Sequence, residues 1–124
     1  MKIPVEKATK IIDGVHQGTI IAVNYREKPY RYTDYVVEFL NQGDQIQLKA
    51  GFPTKLYEVS KHATMLRQFG VVVAEGLEPD PDVLIGRHVD FQTITKGNFA
   101  EIIPESLKPT ATAVVETAEP RQVV

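Results

Sequence analysis

The hydrophobic period of this chain switches once, at Ser60, and that switch constrains the fold more than any other feature. Upstream, apolar residues recur at every second position. In Thr33–Leu40, Tyr35, Val37 and Phe39 share one face, while Asp34, Val36 and Glu38 share the other. In Gln45–Ala50, Ile46 and Leu48 alternate with Gln47 and Lys49. These runs predict half-buried strands, with Asn41-Gln42-Gly43-Asp44 as the turn between them and Gly43 free to take a positive φ. An earlier run, Val15–Tyr25, is rich in β-branched residues and predicts the first strand, with Gly18 marking a bulge or tight bend. Downstream of Ser60 the period becomes 3.6. Met65, Leu66 and Phe69 then form one helical stripe, Ser60 suits the N-cap, and Gly70 suits the position just past the helix.

The rest of the chain is read by the same rules. Residues 54–58 extend the helix or lead into it, and Val71–Ala74 is a short strand or an apolar loop. Glu75–Asp82 is an acidic, proline-bearing loop. Arg87–Ile94 and Phe99–Ile103 predict a hairpin turning at Thr95–Asn98. The division is an N-terminal arm over 1–13, a barrel over 14–107 and a disordered tail over 108–124, which carries no aromatic residue. The order β-β-β-α-β-β predicts a mainly β, five-stranded OB-fold-like barrel with one short helix. The faces and loops of that fold bind oligonucleotides. The expected core is Ile21, Val23, Tyr35, Val37, Phe39, Ile46, Leu48, Leu66, Phe69, Val89 and Phe91.

The clearest chemical signal is the segment Asn24–Tyr32, which holds Tyr25, Arg26, Lys28, Tyr30, Arg31 and Tyr32 within nine residues. Rings interleaved with cations suit single-stranded nucleic acid, because bases stack on the rings and phosphates pair with the cations. Lys49, Phe52 and Lys55 would continue that track across the sheet; Phe52 could instead cap the core. Tyr57 could stack or cover the helix start. The chain carries −2 overall, but unevenly. Residues 1–67 hold ten Lys/Arg against seven Asp/Glu, and residues 68–124 hold four against nine. The candidate track thus lies in the basic part, and local field governs steering more than the total does.

Other chemistries find little support. No cysteine is present, so disulfides, thiolate zinc sites and thiol nucleophiles are excluded. His16, His62 and His88 have no metal-ligand spacing, and Asp80 and Asp82 lack the ligand density of a calcium loop. No phosphate-binding glycine motif or nucleophile elbow occurs. We expect no catalysis, no cofactor and no metal. No signal peptide or membrane-spanning run is evident, which fits a cytoplasmic location.

Several segments together resemble a known class. They are Gly18-Thr19-Ile20-Ile21-Ala22-Val23, Tyr35-Val36-Val37-Glu38-Phe39, Met65-Leu66-Arg67-Gln68-Phe69-Gly70, Leu84-Ile85-Gly86-Arg87-His88-Val89 and Ile102-Ile103-Pro104. From Gly18 to Pro104 the chain resembles the small OB-fold single-stranded DNA-binding proteins of phages and related mobile elements. The resemblance implies sequence-tolerant binding of single-stranded DNA, or of RNA, in replication, recombination or repair. A second copy or a replication protein would be a further partner. The C-terminus departs from the family's acidic, partner-recruiting tail, since only Glu116 and Glu119 are present. The alternative function is a non-enzymatic protein–protein assembly module in which the tyrosines form an interface.

Overall fold

A computed structural model describes residues 1–3 and 11–110. Five strands and one helix follow the expected order: β1 (Gly14–Arg26), β2 (Tyr32–Asn41), β3 (Asp44–Pro53), α1 (Lys61–Gln68), β4 (His88–Lys96) and β5 (Phe99–Ile102). A sixth strand, β6 (Lys108–Pro109), and two 3₁₀ turns, Pro81–Leu84 and Pro104–Ser106, were not expected. The chain is mainly β, with one antiparallel sheet in the order β3-β2-β1-β4-β5, and β6 pairs with β4. The sheet is open. β3 and β5 are its two ends, and no ladder joins them among the described residues, so the expected closed barrel is not formed.

Local chemistry explains the elements. The Ser60 hydroxyl accepts from the Ala63 N–H at 3.2 Å and starts the helix. Gly70 ends it at φ 88°, a left-handed conformation that costs glycine no Cβ clash. Gln42 and Gly43 both have positive φ, the geometry that matches a two-residue turn to twisted strands. Residues 54–58 are not helical, and Val71–Ala74 has no regular structure.

β1 carries two ladders. Gly14–Thr19 pairs with β4, and Gly18–Arg26 pairs with β2, so Gly18 and Thr19 belong to both. A Cβ on Gly18 would lie 2.6 Å from the Glu38 carbonyl oxygen and 3.0 Å from Phe39 Cβ. The strands approach too closely for any side chain there. A bulge follows, where the register shifts between Ile20 and Ala22. The extra residue reverses the faces, so Ile20 is fully buried and Ile21 is exposed. The expectation of a buried Ile21 is thereby corrected.

The remaining core follows alternation. Tyr35, Val37, Phe39, Leu66, Phe69, Val89 and Phe91 are buried, and Val23, Ile46 and Leu48 pack against them from partly buried positions. Phe52, Leu84, Ile102 and Leu107 complete the core. Leu84 comes from the first 3₁₀ turn, which begins at the end of the acidic loop read over Glu75–Asp82. The chain past Leu107 is also anchored: the Thr110 N–H donates to the His88 carbonyl at 3.2 Å, and its hydroxyl donates to Asp90 at 3.0 Å. Of the expected tail, Lys108–Pro109 is thus part of the sheet and Thr110 is tied to it, whereas 111–124 lie outside the described residues. So do residues 4–10 of the expected arm. Its last part is attached: Ile11 packs on the core, and the Ile12 carbonyl accepts from the Thr93 hydroxyl at 3.1 Å.

Gly18→Ala should destabilise the fold by about 1–3 kcal/mol, because its methyl meets backbone that cannot rotate away. Urea denaturation should show a lower midpoint with an unchanged slope. An unchanged midpoint would contradict the close approach of β1 and β2.

Candidate functional site

The sheet's open seam forms a groove. One wall is the outer face of the first meander, where Arg26 pairs opposite Tyr32 and Asp34 opposite Gly51. The other wall is the β4–β5 hairpin, contributing Lys96, Phe99, Ala100 and Glu101. The groove has a volume of about 570 Å³. Two aromatic rings line it: Tyr32, half-buried at the start of β2, and Phe99, 74% exposed on β5.

The groove's floor is a charge cluster. Asp34 is only 2% exposed, and its carboxylate receives both Nε and Nη2 of Arg26, the latter at 3.0 Å. Lys49 Nζ lies 4.0 Å from the same carboxylate. This two-pronged pairing is the geometry in which a guanidinium holds a carboxylate most firmly. The Arg26 guanidinium also lies 4.9 Å from the centroid of the Tyr32 ring, within range of a cation–π contact. Gly51 leaves room for the cluster, since a Cβ there would sit 2.6 Å from Asp34 Oδ1. On the opposite wall Lys96 pairs with Glu101 at 3.5 Å.

A second groove of about 560 Å³ lies at the tip of the first hairpin, lined by Glu27, Pro29, Tyr30, Arg31, Pro53, Thr54 and Lys55. Tyr30 is 72% exposed there. Arg31 and Lys55 form no ion pair among the described residues, and Lys55 lies 5.6 Å over the Tyr57 ring. Lys28 is exposed at the same tip and lines neither groove. The two grooves share no lining residue but are neighbours: Arg31 and Tyr32 are consecutive, and Pro53 of the hairpin groove is the cross-strand partner of Tyr32.

Two expected site residues lie elsewhere. Tyr25 is on the opposite sheet face from Arg26, and its hydroxyl donates to Asp82 at 3.3 Å. Partial burial, followed by the Asp82 charge, pushes that phenol above its ordinary range. Phe52 is buried and offers no face to a base. It stacks on His62 at 5.0 Å and meets Tyr35 edge-on. Its inward position follows from β3 extending to Pro53 in unbroken alternation with Ala50. Conversely, sequence reasoning missed Phe99 and Lys96. Both sit beside a glycine turn, but only the long-range pairing of β1 with β4 brings them to face Tyr32.

A buried polar chain lies beneath the hairpin groove. His62 Nδ1 lies 3.2 Å from the Pro53 carbonyl, which can only accept, so Nδ1 carries the proton. Nε2 then accepts from the Tyr35 hydroxyl at 2.7 Å. Burial is the main cause that pulls the His62 pKa below its usual value, opposed by the bond to Pro53. No group of three or more His, Cys, Asp or Glu residues could hold a metal ion among those described. Nor is any described helix long and apolar enough to cross a membrane. A scan against protein-family models returns no match, and no curated protein matches the chain.

Tyr35→Phe leaves His62 Nε2 without its donor and should cost about 1–3 kcal/mol at pH 7.5. His62 is neutral in the fold, while the unfolded chain binds a proton below about pH 6.5. The stabilisation is therefore full above that pH and is lost as pH falls through the lowered folded value. Melts between pH 7.5 and 5.5 should show the wild type losing stability more steeply than Tyr35→Phe. Parallel curves would contradict the assignment.

Proposed function

We propose that this protein binds single-stranded DNA, with little sequence preference, along the two adjoining grooves. The observation that carries the reading is that exposed Phe99 and half-buried Tyr32 line opposite walls of one groove, above the Arg26–Asp34–Lys49 cluster. Rings spaced along a groove accept any base, because every base has a stacking face. The cations divide by function. Arg26, Lys49 and Lys96 are already paired with acids inside the seam groove. Phosphate contacts therefore fall to Arg31, Lys55 and Lys28 at the hairpin tip, and base contacts to Tyr32 and Phe99, with Tyr30 between. Tyr25 and Phe52 have no part in it.

The strand order supports the OB-type reading. β3-β2-β1-β4-β5 is the order of a five-stranded barrel parted between β3 and β5, and that fold takes oligonucleotides on its second and third strands and its hairpin loops. The resemblance to phage single-stranded DNA-binding proteins belongs to the same proposal, as does action in replication, recombination or repair. Binding alone, with no catalysis or cofactor, accounts for the residues the grooves present.

Fluorescence anisotropy with a labelled oligo-dT at several salt concentrations tests the reading. Phe99→Ala and Tyr32→Ala should each weaken binding about tenfold to a hundredfold, since a stacked base contributes roughly 1–3 kcal/mol. Phe99→Ala should leave the melting temperature unchanged. Arg31→Ala should reduce the salt slope by about 0.7, whereas Lys49→Ala should change it little. Absence of wild-type binding near 20 mM salt would sink the proposal. The assembly reading would replace it, favoured by the exposed Phe99 ring and the edge of β3, which no strand covers among the described residues.

A further inference from the structure

We propose that Asp34 is a positioning residue for this groove: it locks Arg26 beneath Tyr32 so that the ring's other face is presented to a base. The inference rests on the single-stranded DNA reading and deepens it. An acid at the floor of a nucleic-acid groove is an electrostatic liability, since it repels the phosphates that the site must attract. Simple charge reasoning would therefore make Asp34 an impediment. The geometry points the other way. Asp34 is 2% exposed, and both of its oxygens are engaged by Arg26, with Lys49 nearby at 4.0 Å. Arg26 is 4.9 Å from the Tyr32 centroid.

Three features show that the arrangement is built into the sheet. Asn24 and Asp34 are cross-strand partners, as are Arg26 and Tyr32, so the pair lies one step along the same face. The facing position on β3 is glycine, where a Cβ would strike Asp34 Oδ1 at 2.6 Å. The same Cβ would lie 3.3 Å from the Tyr32 ring and 3.5 Å from Arg26 Nη2, so one absent side chain serves all three groups. A guanidinium held in two prongs is not free to follow a phosphate. Arg26 thus acts as a fixed platform under the ring. Its net charge with Asp34 is zero, so the platform adds little to the salt dependence of binding.

The test is a mutant cycle read by anisotropy with labelled oligo-dT at 100 mM salt, with melts to confirm folding. Asp34→Asn should weaken binding roughly tenfold, although it removes a negative charge. Arg26→Gln should weaken it similarly, and the double variant should be no worse than Arg26→Gln alone, because Asp34 acts through Arg26. Asp34→Asn binding as tightly as wild type, or tighter, overturns the proposal, as do losses that multiply in the double variant. If Asp34→Asn fails to fold, the wild-type protein decides. In ¹⁵N NMR the Arg26 Nε–H signal should stay in place when oligo-dT is added. Its displacement would show Arg26 leaving Asp34 for phosphate. No wild-type binding at 20 mM salt overturns the nucleic-acid reading and this proposal with it. Wild-type binding with tight Asp34→Asn binding overturns this proposal alone.

Discussion

The structure depends on one strand being shared. β1 is paired on both sides over Gly18–Thr19, with β2 along one edge and β4 along the other. Among the described residues, the β1–β4 ladder is the only one that joins the N-terminal meander to the C-terminal hairpin. The double pairing demands a residue without a side chain at Gly18, where the Glu38 carbonyl would otherwise be struck. It also demands a bulge just beyond, which bends the strand and turns Ile20 inward. With the bend, the far ends of the sheet, β3 and β5, come to face one another across a groove.

The groove's electrostatics follow from how its charges are paired rather than from their number. Three cations and two acids line it, giving a local balance of +1. Each of those cations has an acidic partner within 4.0 Å. Exposed pairs of this kind contribute little to stability. The Arg26–Asp34 pair differs, because its carboxylate is buried. Removing Arg26 would leave a carboxylate that water hardly reaches, whereas Arg26 itself is 40% exposed. The proposed reading therefore gives the cluster a part in shape more than in field, and leaves attraction of phosphates to Arg31 and Lys55, which form no ion pair among the described residues. The chain's modest net charge is consistent with that division.

Where local chemistry decides structure, the sequence could be read. Ser60 and Gly70 bracket a helix because one supplies a hydroxyl acceptor and the other tolerates a left-handed φ. The alternation of Tyr35, Val37 and Phe39 placed those side chains correctly for the same reason. Bulges and strand ends were harder. Ile20 and Ile21 are adjacent and chemically identical, so composition could not tell which faces the core. Phe52 followed the track of basic and aromatic residues, yet the strand ran three residues further than expected and carried it inward. Asp34 read as a solvated strand position, since nothing local signals that Arg26 covers it. Phe99 and Lys96 join the candidate site only through a ladder between residues 69 to 79 positions apart. The closed barrel was inferred from element order, which does not determine whether two edge strands meet.

The most direct test of the central claim is a backbone amide NMR map of the protein with and without a short oligo-dT. Shift changes should concentrate on Arg31, Tyr32, Lys49, Gly51, Phe99 and Ala100, the residues of the two adjoining grooves. The amides of Tyr25 and Asp82, on the opposite face, should not move. Changes centred on Tyr25 and Asp82, or none at all at saturating oligonucleotide, would contradict the account.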